Sequence, residues 1–259
     1  MRILFIIIIA ASFIGLSFVS KTKTADKSKE IKPVAGSFAP VVVLELFTSE
    51  GCSSCPPADN LLLKLAKLDS NIIPLSFHVD YWNRFGWEDP FSKSEYSDRQ
   101  RAYGGQFHLE SIYTPELVVN GEYELVGSNQ AGAQSAIKKA LLEQVAVQIN
   151  ISEVKMIDGL LQVTVESSGD LKKTDLLATL VQQHAVVSIK GGENNGAKLS
   201  HTNVVISLTK QRAEPKTVFK LSPPRDFDFD IDGEGWKLIV FAQKQNDLKI
   251  TGGAVFNPK

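Results

Sequence analysis

The pair Cys52 and Cys55 constrains this chain most, because these are the only two cysteines among its 259 residues. The run 41–47 before them is apolar and rich in β-branched residues, which predicts a buried strand. After them, apolar residues recur at helical spacing over 58–68, which predicts a helix. The pair is therefore expected at a strand-to-helix corner, where the helix amides and dipole favour a thiolate. Cys52 is expected at the mouth of this corner, and Cys55 is expected to face inward.

Three kinds of site use a Cys-x-x-Cys pair. A structural disulfide would close a very short loop, and the chain entropy that it removes is worth only about 2 kcal/mol. A zinc site would need a second pair of ligands, which His78 or His108 would have to supply. A redox dithiol needs this spacing, because one thiol attacks a disulfide and the other resolves the mixed disulfide. The redox interpretation is favoured, and neither a metal nor a cofactor is expected.

Composition limits the possible partners. Hydrophobic residues make up 43% of the chain and charged residues 22%, as in a typical soluble globular protein. The net charge of −1 gives no electrostatic reason for binding nucleic acid or an anionic membrane surface. The expected partners are therefore protein or small-molecule thiols and disulfides.

The N-terminal segment differs from the rest of the chain. Residues 1–20 combine a basic start with a short apolar run, which predicts an export signal or, alternatively, an uncleaved membrane anchor. Residues 20–30 are largely polar, and the breakers Pro33, Gly36 and Pro40 follow, which predicts a linker over 21–39. An extracytoplasmic location is expected, either periplasmic or secreted, with membrane contact only through this segment. Disulfides persist in such oxidising compartments.

The periodicity of the remaining sequence changes near residue 145. Residues 40–144 alternate between strand and helix patterns, with an aromatic helical insert over 80–109 and an Asn120-Gly121 hairpin signal. Residues 145–259 show alternation with a period of two, interrupted by turn residues, which predicts an antiparallel sandwich-like domain. The acidic stretch 228–233 is not expected to bind calcium, because its twelfth position is occupied by Ile239.

The order of predicted elements, together with Thr114-Pro115 just before a strand, resembles the thioredoxin fold. The predicted fold class is an α/β thioredoxin-like domain with a helical insert, followed by an all-β sandwich-like domain. The chain more closely resembles a family of exported bacterial thioredoxin-like proteins catalogued as a domain of unknown function. The stretches that carry this resemblance are 45–59, 78–82, 86–91, 99–103 and 113–115. The resemblance implies that the Thr114-Pro115 bond is cis and lies beside the dithiol, where both residues help to bind substrate.

Glu45 is an acid within the predicted buried strand, where a charge is costly without a partner. The resemblance to thioredoxin, which has a buried aspartate near this place, implies that Glu45 moves a proton at the dithiol. The alternative from the residues themselves is a glutamate that faces an edge or forms an ion pair.

His78, Tyr81 and Trp82 follow the second predicted strand, and sites often gather at strand ends in α/β sheets. They are candidates for the floor of a substrate groove. The alternative is that this aromatic cluster forms the core of the insert.

These observations predict an exported thiol–disulfide oxidoreductase in which Cys52 attacks, Cys55 resolves and Pro115 shapes the substrate groove. The alternative is a non-catalytic extracytoplasmic binding module on a thioredoxin-like scaffold. Gly51 and the Ser53-Ser54 dipeptide differ from thioredoxin, so the direction of electron flow stays open.

Overall fold

The computed structural model describes residues 40–223 and 233–258. The predicted signal or anchor (1–20), the predicted linker (21–39) and most of the acidic stretch 228–233 lie outside the described residues. Within the described ranges, no helix is long and apolar enough to cross a membrane.

The first part of the chain alternates strands and helices. Its elements are β1 (Val42–Thr48), α1 (Pro56–Leu65), β2 (Ile72–His78), a short 3-10 helix (Asn83–Phe85), α2 (Ser94–Gln106), β3 (Glu116–Val119), β4 (Tyr123–Val126) and α3 (Gln130–Ala140). The described elements that follow are all strands: β5 (Val147–Ile157), β6 (Leu160–Gly169), β7 (Thr174–Ser188), β8 (Lys198–Arg212), β9 (Lys216–Leu221), β10 (Trp236–Lys244) and β11 (Ile250–Phe256).

The strands form a large mixed sheet and a small antiparallel one. The eight-stranded sheet has the order β11-β10-β7-β8-β2-β1-β3-β4, and the three-stranded sheet has the order β5-β6-β9. β1 and β2 are parallel, β3 runs antiparallel to β1, and β4 runs antiparallel to β3. The protein is therefore a mixed α/β fold with one large and one small sheet.

The second half of the chain is joined to the first through strand β8. Val204 of β8 pairs in parallel with Ser76 of β2, so strands from both sides of residue 144 share one sheet. The small sheet packs through a common apolar core against β7 and β10. The small sheet and the strands β7 and β10 of the large sheet are thus two packed layers, and the large sheet continues into the α/β part of the chain. Alternation of apolar and polar residues identifies a strand, but it does not show which other strand pairs with it.

Strand β1 is buried on both faces along its whole length, as its apolar sequence predicts. Leu44 and Leu46 pack with α1 and α3 on one face of the sheet. Val43 and Phe47 pack on the other face with α2, β7 and β10. The strand and helix that flank the cysteines are therefore held from both sides.

The Asn120-Gly121 hairpin between β3 and β4 is confirmed. Both residues have positive φ, 51° and 68°, as a tight hairpin turn of this kind requires. A Cβ at Gly121 would lie 2.0 Å from the backbone oxygen of Leu248, so only glycine fits against this neighbouring loop.

Phe241 of β10 is fully buried in a core that it shares with Phe77 of β2 and Tyr103 of α2. We expect Phe241→Ala to lower the free energy of unfolding by about 3–5 kcal/mol, because it leaves a cavity in that shared core. Urea unfolding followed by tryptophan fluorescence and circular dichroism measures this loss. Val218→Ala, at a residue that is 41% exposed, is the control and is expected to change little.

Both probes should report one transition, because the two halves share this core. Two separate transitions, of which Phe241→Ala shifts only one, would contradict this description.

Candidate functional site

The two cysteines form a disulfide at the corner between β1 and α1. The Cα atoms of Cys52 and Cys55 are 5.4 Å apart, and Cys55 is the N-cap residue of the helix. Pro56 and Pro57 occupy the first turn, where a missing N–H group leaves no intrahelical bond unmade. The predicted strand-to-helix corner is confirmed.

The exposure of the cysteines differs from the expectation. Cys52 and Cys55 are both fully buried, whereas Ser53 and Ser54 between them are exposed. Cys52 was expected at the mouth of the corner, and this expectation is wrong. A loop from the second half of the chain, residues 189–197 between β7 and β8, binds the backbone of this corner. We refer to these residues as the cap loop.

The cap loop binds the backbone of the cysteine corner directly. The side-chain amide of Asn194 donates to the backbone oxygens of Glu50 and Cys52, at 2.8 and 2.9 Å. The backbone N–H of Ser53 donates to the carboxylate of Glu193 at 3.1 Å. Hydrogen bonds from Ser53 lower the pKa of Glu193, so this carboxylate is charged. The cap loop therefore contributes both donors and an acceptor to the corner.

A cluster of buried acids and histidines surrounds the same corner. It comprises Glu50, Asp59, His78, Asp89 and His201, and we call it the acid–histidine cluster. His201 Nε2 lies 3.5 Å from Glu50 Oε1, and His201 Nδ1 lies 3.7 Å from Asp59 Oδ1. His78 Nδ1 lies 2.7 Å from Asp89 Oδ2, and the rings of the two histidines are 4.7 Å apart at their centroids.

The cluster is attached to the cysteine loop by hydrogen bonds. Asp89 accepts from the backbone N–H of Glu50 at 2.9 Å, and Trp87 Nε1 donates to Glu50 Oε2 at 2.7 Å. Asp59 lies in the first turn of α1, and its backbone N–H donates to the Cys55 oxygen at 3.1 Å. Glu50 and Asp59, which flank the cysteines in sequence, thus both contact distant segments: Glu50 contacts Trp87 and Asp89, and Asp59 contacts His201.

The charges in this cluster are interdependent. Burial lowers the pKa of His201, but the interactions with the nearby carboxylates of Asp59 and Glu50 outweigh it and raise the value to about 10. Burial raises the pKa of Asp89, but the charge and hydrogen bond of His78, together with backbone N–H groups, hold it below its usual value. His201 is therefore an imidazolium between two acids at neutral pH.

The described residues contain no group of three or more His, Cys, Asp or Glu side chains with the geometry to hold a metal ion. Nε2 of His78 and both ring nitrogens of His201 nevertheless have no partner at hydrogen-bond distance in the described part of the chain. The carboxylates of Glu50 and Asp59 therefore contact His201 at ion-pair distances of 3.5 and 3.7 Å and not through short hydrogen bonds.

Glu45 is not brought to the cysteines. It is fully buried, and Arg99 of α2 donates to both of its carboxylate oxygens, at 2.5 and 2.9 Å. The hydroxyl of Tyr103 donates to it at 2.5 Å. Helix α2 lies on the sheet face opposite α1. The structure therefore shows the ion-paired alternative for Glu45, with a partner that the local sequence does not reveal.

The predicted groove residues separate into two groups. Trp82 Nε1 donates to Thr114 Oγ1 at 2.7 Å, and a Cβ at Gly51 would lie 3.3 Å from Trp82 Cβ. Trp82 therefore links the cysteine loop to the Thr114-Pro115 segment, whose peptide bond is cis as predicted.

His78 is directed away from this segment, whereas Tyr81 contacts both Thr114 and helix α2. His78 is fully buried beside Asp89, so its predicted place in the floor of a groove is corrected to a place in the acid–histidine cluster. The hydroxyl of Tyr81 donates to Gln100 on α2 at 3.2 Å, and burial raises its pKa to about 12. Tyr81 thus lies between the insert and Thr114, whose side chain also interacts with the Tyr81 hydroxyl.

Several residues of the site are absent from the sequence prediction. They are Glu50, Asp59, Asp89, Glu193, Asn194 and His201. The first two lie inside the stretch 45–59 that carries the family resemblance, and their proximity to the cysteines is a usable signal. His201 and the cap loop follow the cysteines by more than 130 positions, and only the pairing of β8 with β2 brings them there.

These features define a class of protein: a mixed α/β fold with a buried disulfide at a strand-to-helix corner, covered by a loop from its later strands. The chain belongs to the family described as "Protein of unknown function (DUF1223)", whose sequence profile matches residues 43–243. A search among curated proteins found no match.

Two solved structures share the fold. Protein AGR_C_4864 from Agrobacterium tumefaciens is 23% identical with a TM-score of 0.63, over 86% of this chain and 97% of that chain. HBP35 of Porphyromonas gingivalis is 19% identical with a TM-score of 0.58, over 86% of this chain and 76% of that chain. Similarity at these identities shows the fold alone.

The His201 ion pairs predict a specific pH dependence of stability. The pKa of His201 rises from an ordinary value of 6.5 to about 10 on folding, so its contribution is complete below 6.5 and is lost as the pH rises to about 10. We expect His201→Gln to flatten the decline of unfolding free energy across this window, measured by urea unfolding at several pH values.

His184→Gln is the matched control, because His184 is exposed on β7. It should leave the slope unchanged. An identical slope in wild type and His201→Gln would show that His201 is not charged in the folded protein.

Proposed function

We propose that this protein is an extracytoplasmic thiol–disulfide oxidoreductase with a thioredoxin-like first part. The observation that carries the proposal is the Cys52–Cys55 disulfide between β1 and the start of α1. A bond that closes so short a loop adds only about 2 kcal/mol of stability. A helix N-terminus, by contrast, is a position at which a thiolate is stabilised and reactive.

The arrangement of the surrounding elements supports the thioredoxin-like interpretation. The sheet order β4-β3-β1-β2 places α1 and α3 on one face and α2 on the other. Across from the cysteines, Trp82 connects the corner to Thr114 and the cis-Pro115 segment. The resemblance implies a substrate-binding role for Thr114 and Pro115, and Trp82 is a candidate for the same groove from its place after the second strand.

The proposed reaction is exchange through a mixed disulfide. With the site reduced, the Cys52 thiolate attacks a substrate disulfide and releases one substrate thiolate. The Cys55 thiolate then attacks Cys52 in the mixed disulfide, re-forms the Cys52–Cys55 bond and releases the second substrate thiolate. Two electrons pass from the protein to the substrate, and the two released thiolates take up the protons that the cysteines lose. The reverse sequence oxidises a substrate dithiol.

The proton role assigned to Glu45 has nearer candidates. Glu50 and Asp59 lie on either side of the cysteines in the same corner and are buried, whereas Glu45 is held by Arg99. We include Asp59 as the proton acceptor, because it is the acid closest in sequence to Cys55. The backbone N–H of Asp59 donates to the backbone oxygen of Cys55. His201 keeps this acid in place by its charge.

The extracytoplasmic location rests on the export signal or anchor predicted for residues 1–20 and on the disulfide itself. Disulfides persist mainly outside the reducing cytoplasm. Protein or small-molecule thiols and disulfides are the proposed partners.

One observation favours the alternative, a non-catalytic binding module. Both cysteines are fully buried, as expected for an inert bond. Exchange with dithiols separates the two functions, because an inert bond resists reduction as long as the protein stays folded.

The two cysteines should have different roles. We expect Cys55→Ser to attack a disulfide substrate and to stall as a mixed disulfide on Cys52, because no second thiol can resolve it. Cys52→Ser should form no such adduct. Mass spectrometry after incubation with the small disulfide dithiobis(nitrobenzoate) reads out both variants, and each variant is the structural control of the other. An adduct on Cys55 alone would reverse the assignment, and the absence of any adduct would refute the oxidoreductase function.

A further inference from the structure

The cap loop occupies the backbone groups of the cysteine corner that face outward. The oxygens of Glu50 and Cys52 accept from Asn194, and the N–H of Ser53 donates to Glu193. An extended peptide that approached this corner would need the same kinds of group, since peptides bind to exposed backbone through N–H and C=O pairs. The primary amide of Asn194 and the carboxylate of Glu193 take the places of those peptide groups.

The cap loop is also seated closely against the insert. A Cβ at Gly191 would lie 2.2 Å from the backbone oxygen of Gly86, and a Cβ at Gly192 would lie 3.1 Å from Trp87 Cβ. Gly192 has a φ of 65°, a conformation that favours glycine. Trp87 in turn donates to Glu50 beside the cysteines. Trp87 thus contacts both the cap loop and the side chain of Glu50 in the cysteine corner.

The disulfide is buried, and the cap loop beside it is held both by the hydrogen bonds of Asn194 and Glu193 and by the packing of its glycines against the insert. Cys52 and Cys55 are fully buried, while Ser53, Ser54 and Glu193 are exposed at the edge of the cover. A small thiol needs only a local opening at this edge to reach a sulfur atom. A protein substrate whose backbone binds to Glu50, Cys52 or Ser53 would have to displace Asn194 or Glu193 from these groups.

We infer that Glu193 and Asn194 are specificity-determining residues, which restrict the Cys52–Cys55 site to low-molecular-weight thiols and disulfides. This inference rests on the proposed oxidoreductase function and narrows its substrate class. The two residues do not take part in the exchange of sulfur atoms, and they act by excluding a competing backbone.

The exchange itself balances with a small thiol as the co-reactant. A small thiolate attacks Cys52, the Cys52–Cys55 bond breaks, and Cys55 leaves as a thiolate. A second small thiolate attacks the mixed disulfide, releases the oxidised small disulfide and frees Cys52. Two electrons pass from the two small thiols to the protein disulfide, and their two protons go to Cys52 and Cys55.

The test compares two reductants that differ in size, dithiothreitol and reduced thioredoxin. The full-length folded protein is mixed with each one, quenched by alkylation and analysed by mass spectrometry for reduced Cys52 and Cys55. We expect Asn194→Ala to raise the rate of reduction by thioredoxin about tenfold, equivalent to about 1.4 kcal/mol, and to raise the rate with dithiothreitol less than about twofold. Asn194→Asp keeps the size of the side chain but loses its N–H donors, so it should behave like Asn194→Ala.

Asn195→Ala is the matched control. Asn195 is an exposed asparagine one position further along the cap loop, and its replacement should change neither rate. Thermal unfolding of each variant shows whether the fold persists, and a variant that unfolds is replaced in the comparison by Glu193→Ala, for which the same selective gain is expected.

The outcomes separate this inference from the function on which it rests. A selective gain with thioredoxin supports the exclusion of protein substrates. Equal gains with both reductants, or no change in the thioredoxin rate, would overturn the inference while leaving exchange chemistry intact. If neither reductant reduces the folded wild type or any variant, the oxidoreductase function fails and the inference fails with it.

Discussion

The pairing of strand β8 with strand β2 is the interaction on which the rest of the site depends. Val204 pairs with Ser76, and the side chain of Asn203 donates to the backbone oxygen of Pro74 at 3.0 Å. This register inserts the later strands into the same sheet as β1. It also brings His201 of β8 among the acids of the cysteine corner and positions the cap loop over the disulfide.

The second constraint is that buried charged side chains need partners of opposite charge. Different residues provide these partners on the α2 face of the sheet and at the cysteine corner. On the α2 face, Arg99 compensates Glu45 with two hydrogen bonds. At the cysteine corner, His201 lies between Glu50 and Asp59. Losing one partner from a buried pair typically costs about 3–5 kcal/mol, because the other charge is left without compensation. The second half of the chain thus stabilises the acids that surround the cysteines.

Features that depend on neighbouring residues could be predicted from the sequence. The buried strand β1, the corner that holds Cys52 and Cys55 and the Asn120-Gly121 hairpin each follow from a short pattern. The cis bond before Pro115 followed from the family resemblance. In each case the residues that carry the sequence pattern are the residues that form the feature, or lie next to them.

Features that depend on distant contacts could not be predicted. Cys52 is buried in a corner whose backbone binds the cap loop, and the partner of Glu45 is Arg99, which lies 54 positions away. His78 was correctly placed at the end of a strand, but its contact with Asp89 makes it an interior residue. Sequence patterns identify which side chains are buried or charged, whereas their partners depend on the strand pairing that assembles the sheet.

The central claim is that the Cys52–Cys55 pair is a reversible redox couple in the folded protein. Its reduction potential tests this claim most directly. It is measured by equilibration in glutathione redox buffers, with dithiothreitol buffers for the more negative potentials, and alkylation is the readout. Dithiol proteins that exchange disulfides have potentials between about −270 and −120 mV, whereas structural disulfides lie below about −300 mV. We predict a single two-electron transition within the first range, in a protein that stays folded throughout. A potential below the second value, or reduction that occurs only as the protein unfolds, would contradict the account.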